Sequence, residues 1–256
     1  MIVQNSPHKN LSINVVIPVF NEEKTVGKVI SELITKSWIN KIIVVDDDST
    51  DSSATIIKKF PVIYLKNKTN KGAGYSTLRG LRFSQQMKEV CWTATVDADR
   101  QHTYSDLFTL YKALVNNQTK ALILHAVRRL NNKNVPFLKK VTTKLAWKSL
   151  ILLYGSIIED PFCGLNIYSH SVIPTLNFSK GYDWPINLLV LFQQIQNNVI
   201  LTKVPAHYSK YSLSKGMTFK TSLVVFGKII VNRIKEIFYE KNISSHKSVV
   251  PTSWWN

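Results

Sequence analysis

The sequence predicts an α/β fold in which a mostly parallel sheet is flanked by helices. Apolar runs of strand length alternate with amphipathic helical runs through the first hundred residues, beginning with "INVVIPVF" at 13–20 and "EEKTVGKVISELIT" at 22–35. Such βαβα alternation is typical of parallel strands joined by crossover helices. Polar clusters directly follow three of the predicted strands, and ligands of parallel sheets bind at the carboxyl ends of the strands.

The remaining elements follow from the same periodicity. In the first half, strands are predicted at "KIIVVD", "VIYLKN" and "CWTATV", and helices after Asp51 and at "GYSTLRGLRFSQQM". The second half is less regular: it predicts a long helix at "VPFLKKVTTKLAWKSLILLYGSII", a turn and strand at "DPFCGLNIYS", and a strand at "ILTKVPAHYSKY". Pro205 in the last of these indicates a sheet edge or a strand end.

The length of 256 residues suits one large domain with an appendage better than two independent domains. We expect a main domain over residues 1–216, with halves at about 11–106 and about 107–216, and an appendage over 217–256. The chain has only two cysteines, and its N-terminus lacks the apolar stretch of a secretory signal. These features indicate a reduced, cytoplasmic location.

The net charge of +17 is carried mainly by the second half of the chain. Residues 1–106 hold 14 Lys or Arg against 11 Asp or Glu, whereas residues 107–256 hold 19 against 5. A basic surface of this kind attracts polyanions such as nucleic acid, anionic lipid or a phosphorylated substrate, or it only keeps the protein soluble. Nucleic acid is not expected, because the aromatic residues of the second half follow core-like patterns and form no stacking platform.

No apolar run approaches the roughly 20 residues that a transmembrane helix needs, so a spanning helix is not expected. The sequence over 219–240 predicts a basic amphipathic helix instead, with these apolar residues on one face: Leu223, Phe226, Ile230, Ile234 and Ile237. Such a helix either lies in a membrane interface or packs on its own domain. The tail after it, which ends near Trp254 and Trp255, is expected to be mobile.

The segment "TVDADRQH" at 95–102 places Asp97, Asp99 and Gln101 at alternate positions behind a strand. Alternate residues of an extended chain point the same way, so these oxygen atoms can face one point. Two carboxylates this close repel, and Mg²⁺ takes oxygen ligands from one or two carboxylates together with water and substrate phosphates. The pattern therefore indicates a divalent cation that neutralises a diphosphate. The polar turns at 18–23 and 46–51 are expected at the same edge of the sheet.

Six segments occur in an order that matches a known family: "VVIPVFNEE" at 15–23, "IIVVDDDSTD" at 42–51, "NKGAG" at 70–74, "VDADRQH" at 96–102, "DPFCGLNIYS" at 160–169 and "VPAHYSKYSLSKG" at 204–216. Together they resemble family 2 inverting glycosyltransferases with the glycosyltransferase A fold, which has a Rossmann-like sheet. The resemblance is strongest to the branch that makes polyprenyl-phosphate or dolichyl-phosphate mannose and glucose. It implies transfer of a hexose from a nucleotide sugar.

The resemblance also implies a donor site for a UDP- or GDP-sugar at the ends of the first strands. The nucleotide-binding residues that it implies are Pro18, Asn21, Glu22, Asp46, Asp47, Lys71, Gly72, Asp97 and Ala98. Mg²⁺ or Mn²⁺ would be held against the diphosphate by Asp97, Asp99 and Gln101. Asp99 and Asp160 are the catalytic candidates by the same resemblance.

Asp160 matches an acidic residue on the acceptor side of the family, where it would serve as a general base or as a positioning group. The positioning role suits a lipid phosphate, because that acceptor is already an anion at neutral pH and has no proton to lose. The cations expected to face its phosphate are Arg128, Arg129, Lys140, Lys210 and Lys215. A saccharide hydroxyl acceptor, as in cell-surface polysaccharide synthesis, is the alternative, and it would need Asp160 as a base.

Smaller features add further expectations. Asp48 stands where the family usually has a glycine, and a turn that needs a positive φ would tolerate Asp less well than Gly but better than most residues. His102 is a candidate phosphate contact, and His125 is expected to be a hydrogen-bonded structural residue. Cys163 is not expected to be a nucleophile, because the spacing suggests no His or Asn partner.

The leading interpretation is a metal-dependent inverting hexosyltransferase at the cytoplasmic face of a membrane, in peripheral contact with anionic lipid. A homo-oligomer is left open. A non-enzymatic module that binds polyanions through its basic half is a more remote alternative.

Overall fold

The structure is a computed structural model that describes residues 11–130, 137–154, 159–160, 162–177 and 195–207, together with single positions at 135, 188, 191, 192, 227, 230, 231 and 233. Lys210, Lys215 and most of the helix predicted over 219–240 lie outside the described residues. Trp254 and Trp255 lie outside them as well.

The described residues form one seven-stranded sheet. Its strands are β1 (Ile13–Val19), β2 (Ile39–Asp46), β3 (Ile63–Lys66), β4 (Trp92–Thr95), β5 (Ile123–Arg129), β6 (Asn166–Ser169) and β7 (Val199–Pro205). The strand order is β3-β2-β1-β4-β6-β5-β7, and every neighbouring pair is parallel except those that include β6. The mostly parallel sheet predicted from the sequence is therefore confirmed.

Helices cover both faces of this sheet. The helices of the described residues are α1 (Val26–Ile34), α2 (Ser53–Ile57), α3 (Ala73–Gln85), α4 (Tyr104–Asn117) and α5 (Phe137–Tyr154), with short 3₁₀ turns at Ile173–Thr175 and Gln196–Asn198, and α1 to α4 supply the residues that pack on the sheet. The predicted helices correspond to α1, α2, α3 and α5. The patterns described above did not predict α4 or β5, which lie between the acidic turn at 97–102 and the start of the long helix.

Successive residues of β1 point into two separate cores. Val15 and Ile17 pack with the apolar faces of α1 and α4, whereas Val16 packs with α3 on the other face. All three side chains are fully buried, as expected for a central strand covered on both sides. Strand β1 is thereby fixed at the centre of the sheet, and its carboxyl end lies between those of β2 and β4.

Two prolines lie near the carboxyl ends of their strands. Pro205 is the last residue of β7, which is an edge strand, so the prediction from Pro205 is confirmed. Pro18 lies in the central strand β1, but the register of β1 with β4 ends at Val16. Pro18, which has no N–H, therefore lies beyond the stretch in which β1 pairs with β4. Within the described residues, no helix combines the length and the apolar character needed to cross a bilayer.

Candidate active site

Four turns meet at one edge of the sheet. Strands β1, β2 and β4 are parallel neighbours, so the turns that follow them lie at their shared carboxyl edge. Strand β6 is antiparallel to β4, so the turn that precedes β6 lies at the same edge. Each of these four turns holds one of the non-glycine residues with positive φ found in the described ranges: Asn21 (54°), Asp48 (65°), Arg100 (63°) and Asp160 (53°).

Hydrogen bonds join the turn after β1 to the turn after β2. The side-chain oxygen of Asn21 accepts a hydrogen bond from the backbone N–H of Thr50 at 2.8 Å, and the Asn21 N–H donates to Ser49 Oγ at 3.0 Å. The N–H of Glu22 donates to Ser53 Oγ at 2.8 Å. Asn21 and Glu22, both predicted to line the nucleotide pocket, thus hold the two turns together.

Asp46 and Asp47 lie behind the pocket surface. They are 0% and 2% exposed, and both carboxylates are occupied by hydrogen bonds. Asp46 accepts from the Tyr64 hydroxyl at 2.5 Å, while Asp47 accepts from the backbone amides of Lys71 and Gly72 at 2.9 and 2.7 Å. That both residues belong to the nucleotide site stays a prediction. In this geometry Asp47 fixes the loop that starts α3, whereas Asp46 joins Tyr64 of β3 to the Ser49 N–H in the turn after β2.

The backbone conformation of this loop explains why position 72 is a glycine. Gly72 has φ of 90° directly before α3, a value that L side chains rarely adopt. It lets the Lys71 and Gly72 amides turn towards Asp47 together. Hydrogen bonds to the buried Asp47 carboxylate therefore fix the loop that is predicted to approach the nucleotide.

An exposed aromatic residue that no sequence pattern indicated lies at this edge. Phe20 follows the last residue of β1 and is 45% exposed, which is unusual for a large apolar side chain. The sequence indicated this residue only through its position between a buried strand and Asn21. Ala98, predicted as a nucleotide contact, is only 4% exposed.

The turn after β4 carries the predicted cation ligands. Burial, and after it the negative charge of Asp99, raise the pKa of Asp97 to about 7, while the Arg128 guanidinium acts in the opposite direction. Burial also raises the pKa of Asp99, against the lowering effect of hydrogen bonds from Gln101. The Gln101 backbone N–H and side-chain Nε2 donate to Asp99 at 2.9 and 2.7 Å. The two carboxylates are close enough to repel, as the alternation in the sequence predicted.

A divalent cation fits these two carboxylates but finds few further ligands in the chain. No group of three His, Cys, Asp or Glu side chains in the described part of the chain could hold a metal ion. Gln101 Oε1, the third predicted ligand, accepts a hydrogen bond from Arg128 Nη1 at 3.2 Å. A cation that relieves the repulsion between Asp97 and Asp99 would therefore complete its shell with water and phosphate oxygens, as Mg²⁺ commonly does.

Asp160 pairs with Arg128 through both carboxylate oxygens. Oδ2 accepts from Arg128 Nε at 2.7 Å and from the Arg128 backbone N–H at 3.1 Å, and Oδ1 accepts from Nη2 at 2.7 Å. The two side chains are 6% and 9% exposed. A general base needs an oxygen directed at the proton that it removes. This geometry suits a positioning group better, and it places the Arg128 guanidinium between Asp160 and Gln101 rather than on an open acceptor surface.

The expectation that Cys163 has no His or Asn partner is wrong. Its Sγ lies 3.4 Å from His102 Nε2, and its carbonyl oxygen accepts from Asn166 Nδ2 at 3.1 Å. Burial raises the pKa of Cys163 and lowers the pKa of His102 to about 3. The thiol and imidazole are therefore both neutral near pH 7, and Cys163 lacks the thiolate character of a nucleophile.

The two histidines are both buried behind the site. His102 is 3% exposed, which contradicts its expected contact with a phosphate. His125 has no exposed surface; its Nδ1 lies 2.5 Å from Asn166 Oδ1 and its Nε2 lies 3.1 Å from the carbonyl oxygen of Asp160. The structural role expected for His125 is confirmed, and this side chain supports the Asp160 turn from β5.

The other predicted acceptor cations are only partly described. Arg129 ends β5 and is exposed beside the Arg128 pair. Lys140 lies in the first turn of α5 and is partly buried. Lys210 and Lys215 cannot be placed, since they lie outside the described residues.

Comparison with known proteins identifies the family. The profile described as "Glycosyl transferase family 2" matches residues 14–174, which is more than half of the chain and includes all four turns of the site. The chain belongs to glycosyl transferase family 2. As a family 2 glycosyltransferase it is an enzyme, and the alternative of a non-enzymatic polyanion-binding module is wrong.

Curated relatives of this family 2 glycosyltransferase include enzymes with lipid phosphate in their names. It is 25% identical over 246 residues to the UDP-N-acetylglucosamine–dolichyl-phosphate N-acetylglucosaminyltransferase of Methanococcus voltae, covering 88% of this chain and 97% of the relative. It is also 25% identical over 196 residues to the dolichol-phosphate mannosyltransferase of Pyrococcus furiosus, covering 72% of this chain and 52% of that relative.

A solved structure confirms the glycosyltransferase A fold. The glucosyl-3-phosphoglycerate synthase of Mycobacterium tuberculosis, crystallised with Mn²⁺, UDP and glucosyl-3-phosphoglycerate, superposes with a TM-score of 0.68. The match covers 87% of this chain and 80% of that chain at 19% sequence identity. This family 2 glycosyltransferase thus shares its fold with that enzyme.

Proposed function

We propose that this glycosyltransferase transfers a hexose from a UDP- or GDP-sugar to a polyprenyl phosphate with inversion at the anomeric carbon. The observation that carries the proposal is the position of the buried Arg128–Asp160 pair directly beside the Asp97 and Asp99 carboxylates. This pair connects the proposed cation site on the donor side with the turn on the acceptor side. Both carboxylate oxygens of Asp160 in that turn already accept hydrogen bonds from Arg128, so the turn supplies no general base. The names of the Methanococcus voltae and Pyrococcus furiosus relatives support a lipid phosphate acceptor.

The donor would bind across the ends of β1, β2 and β4. Phe20 is exposed and suited to stack on the nucleobase. The loop at Lys71 and Gly72, fixed by Asp47, would approach the ribose and diphosphate. Asp97 and Asp99 would hold Mg²⁺ or Mn²⁺, which supplies positive charge to the diphosphate as it leaves.

The acceptor phosphate can react without a base. One of its oxygens attacks the anomeric carbon, the bond from that carbon to the diphosphate breaks, and the nucleoside diphosphate leaves with the electron pair. No proton has to be removed, because the phosphate monoester is already ionised at neutral pH. Asp160 is then required only to hold the Arg128 guanidinium in place, which agrees with the three hydrogen bonds that its carboxylate accepts from Arg128. Exposed Arg129 is a candidate contact for the acceptor phosphate.

A lipid acceptor implies work at a membrane surface. The second half of the chain carries most of the net charge of +17, which favours contact with anionic lipid. We extend the proposal to peripheral binding by the region 217–256, which follows a catalytic domain over 1–216. Binding to vesicles with anionic lipid should weaken as salt is raised, and removal of residues 217–256 should reduce it.

The proposed function is tested by transfer assays with UDP-N-acetylglucosamine, UDP-glucose and GDP-mannose, each with a polyprenyl phosphate and with Mg²⁺, Mn²⁺ or EDTA. At least one donor should give a lipid-linked sugar that disappears in EDTA. Asp99→Asn should lower metal-dependent turnover by about 100-fold or more, because it removes one of two charged ligands. Glu89→Gln, which neutralises an exposed acid before β4, should keep wild-type activity.

Two outcomes would contradict the proposal. Full metal-dependent turnover by Asp99→Asn would remove this residue from the cation site. Transfer to a saccharide hydroxyl but not to a polyprenyl phosphate would replace the lipid acceptor, and the pH profile should then show an ionised base.

A further inference from the structure

We propose that Gly164 positions the Asp97 carboxylate, so that the acceptor-side segment forms one wall of the donor-side cation site. The inference rests on the function proposed above and assigns a role to a residue outside the predicted ligand set. It concerns how the chain holds a metal ligand, and its test does not depend on turnover.

The contact between these two residues is unusually close. A Cβ atom built on Gly164 would overlap Oδ1, Oδ2 and Cγ of Asp97. Gly164 is not among the described residues with positive φ, so its backbone conformation alone does not require glycine. The reason for glycine at this position is the close approach of the carboxylate.

The segment that contains Gly164 is anchored and cannot easily move away. Thr95 Oγ1 donates to the Gly164 carbonyl oxygen at 2.6 Å, and Thr95 also pairs with Asn166 in the register of β4 and β6. Asn166 Nδ2 donates in turn to the carbonyl oxygen of Cys163 at 3.1 Å. Since Thr95 belongs to the strand that leads into Asp97, the wall and the carboxylate are fixed to the same element.

A side chain at position 164 would therefore displace the carboxylate rather than the wall. Metal sites depend on ligand distances to within about 0.2 Å. Residues that orient a metal ligand from behind typically change metal affinity by about 10- to 100-fold when they are mutated. A single methyl group on Gly164 is enough to produce such a displacement, because the overlap involves both oxygen atoms of Asp97.

The test compares Gly164→Ala with Gly80→Ala. Gly80 lies in α3, where an added methyl group would overlap the side chain of Val16 in the core and not a carboxylate. Mn²⁺ affinity is measured from the electron paramagnetic resonance signal of free Mn²⁺, with UDP and separately with GDP. Urea unfolding of the metal-free proteins gives their stabilities. We expect Gly164→Ala to weaken Mn²⁺ binding at least tenfold, and Gly80→Ala to keep it within twofold even where it lowers stability more.

A second variant keeps the test informative if Gly164→Ala does not fold. Thr95→Val preserves the shape of a buried side chain and removes the hydrogen bond to the Gly164 carbonyl, together with the one that Thr95 makes with Tyr168. We expect Thr95→Val to weaken Mn²⁺ binding about threefold, because the segment that contains Gly164 loses a hydrogen bond that anchors it.

The inference is overturned if a folded Gly164→Ala binds Mn²⁺ like the wild type. It is also overturned if both glycine variants lose Mn²⁺ affinity in proportion to their loss of stability. If Gly164→Ala is unfolded, unchanged Mn²⁺ binding by Thr95→Val overturns it. Failure of the wild type to bind Mn²⁺ with either nucleotide is a different result. It would overturn the metal-dependent function itself, and this inference with it.

Discussion

The residues with left-handed backbone in the described ranges are concentrated at the site, and three of them are charged. Asp48, Arg100 and Asp160 have positive φ in turns where glycine would be free of steric cost. Such conformations cost free energy and persist where the surrounding structure fixes them. For Arg100 the fixing contact is an ion pair with Glu32 of α1 at 2.7 Å. For Asp160 it is the bidentate pair with Arg128.

The Arg128–Asp160 pair should behave as one unit. Removing one partner leaves a buried charge without compensation, whereas removing both leaves none. We expect Asp160→Asn and Arg128→Gln each to lower kcat/KM by about 10- to 100-fold, and the double variant to lose no more than the worse single variant. Urea unfolding should show the double variant to be at least as stable as Arg128→Gln.

This double-mutant cycle also separates the two roles considered for Asp160. A positioning role leaves the acid limb of the kcat–pH profile unchanged in Asp160→Asn. If the two single effects multiply in the double variant and the acid limb disappears with Asp160, this residue is a general base.

The two cysteines should differ sharply in reactivity. Cys91 is exposed, whereas Cys163 is fully buried and its pKa is raised by that burial. Since the thiolate is the reactive form, iodoacetamide should modify Cys91 in the native protein at least about 100 times faster than Cys163. Mass spectrometry of the digested protein measures both sites, and labelling in urea is the control in which both should react. Comparable native rates would show that Cys163 is accessible.

At the scale of elements, α4 starts directly after the cation turn and fixes where that turn ends. Thr103 and Asp106 form a capping box: the Thr103 N–H and Oγ1 both donate to Asp106 Oδ2, at 2.7 and 2.9 Å. A capping box satisfies backbone donors that the first turn of a helix would leave unpaired. The turn from Asp97 to His102 is thus held between a strand on one side and a capped helix on the other.

Loss of this cap should affect stability more than the cation site. Thr103→Ala removes the hydroxyl donor, and we expect it to lower the free energy of unfolding by about 1 kcal/mol. Thr109→Ala is the matched control in the same helix, since its hydroxyl only donates to the carbonyl of Ser105, and it should be neutral or slightly stabilising. Urea unfolding checks both. Equal losses in the two variants would mean that the cap contributes nothing specific.

At the scale of the whole molecule, a strongly basic chain accumulates its few acids at one edge. Glu22 and Asp99 both act on Asp97 to raise its pKa, in addition to burial. In the metal-free protein this arrangement opposes folding, because a carboxylate whose pKa is raised on folding destabilises the folded state above its ordinary pKa. The acids gathered at this edge therefore lower the stability of the metal-free protein.

Neutralising Asp97 should consequently stabilise the metal-free protein while abolishing metal binding. The pKa of Asp97 rises from an ordinary value of 3.8 to about 7, so the destabilisation is complete above pH 7 and disappears as pH falls towards 4. We expect Asp97→Asn to be more stable than the wild type on the order of 1–3 kcal/mol at pH 8 in EDTA, and equal to it near pH 4.

Urea unfolding at both pH values, with Glu89→Gln as a control that should stay within about 0.5 kcal/mol, measures this difference. A wild-type protein that is more stable than Asp97→Asn at pH 8 in EDTA would contradict the proposed electrostatics.

Elements with strong periodicity could be predicted, and those without it could not. The apolar spacing of α1 and the β-branched runs of β1 and β2 identified them directly. Strand β5 was missed because its sequence, Ile123 to Arg129, contains a histidine and two arginines. His125 is acceptable inside the sheet only because Asn166 and the carbonyl oxygens at 159 and 160 bind its ring. Those partners are about 35 to 40 residues away in sequence, so no local pattern reveals them.

The sequence by itself determined that three polar turns follow parallel strands, and therefore that Asp97, Asp99 and Gln101 lie at the edge where ligands bind. Strand direction and the alternation of side chains are local properties of the chain, so they can be read from spacing. Only the tertiary structure decided which polar side chains are occupied. It buried Asp46 and Asp47 behind a loop, paired Asp160 with Arg128, and placed Gly164 on Asp97. These outcomes depend on contacts between segments far apart in the chain, and burial and hydrogen bonding between such segments have no periodicity in the sequence.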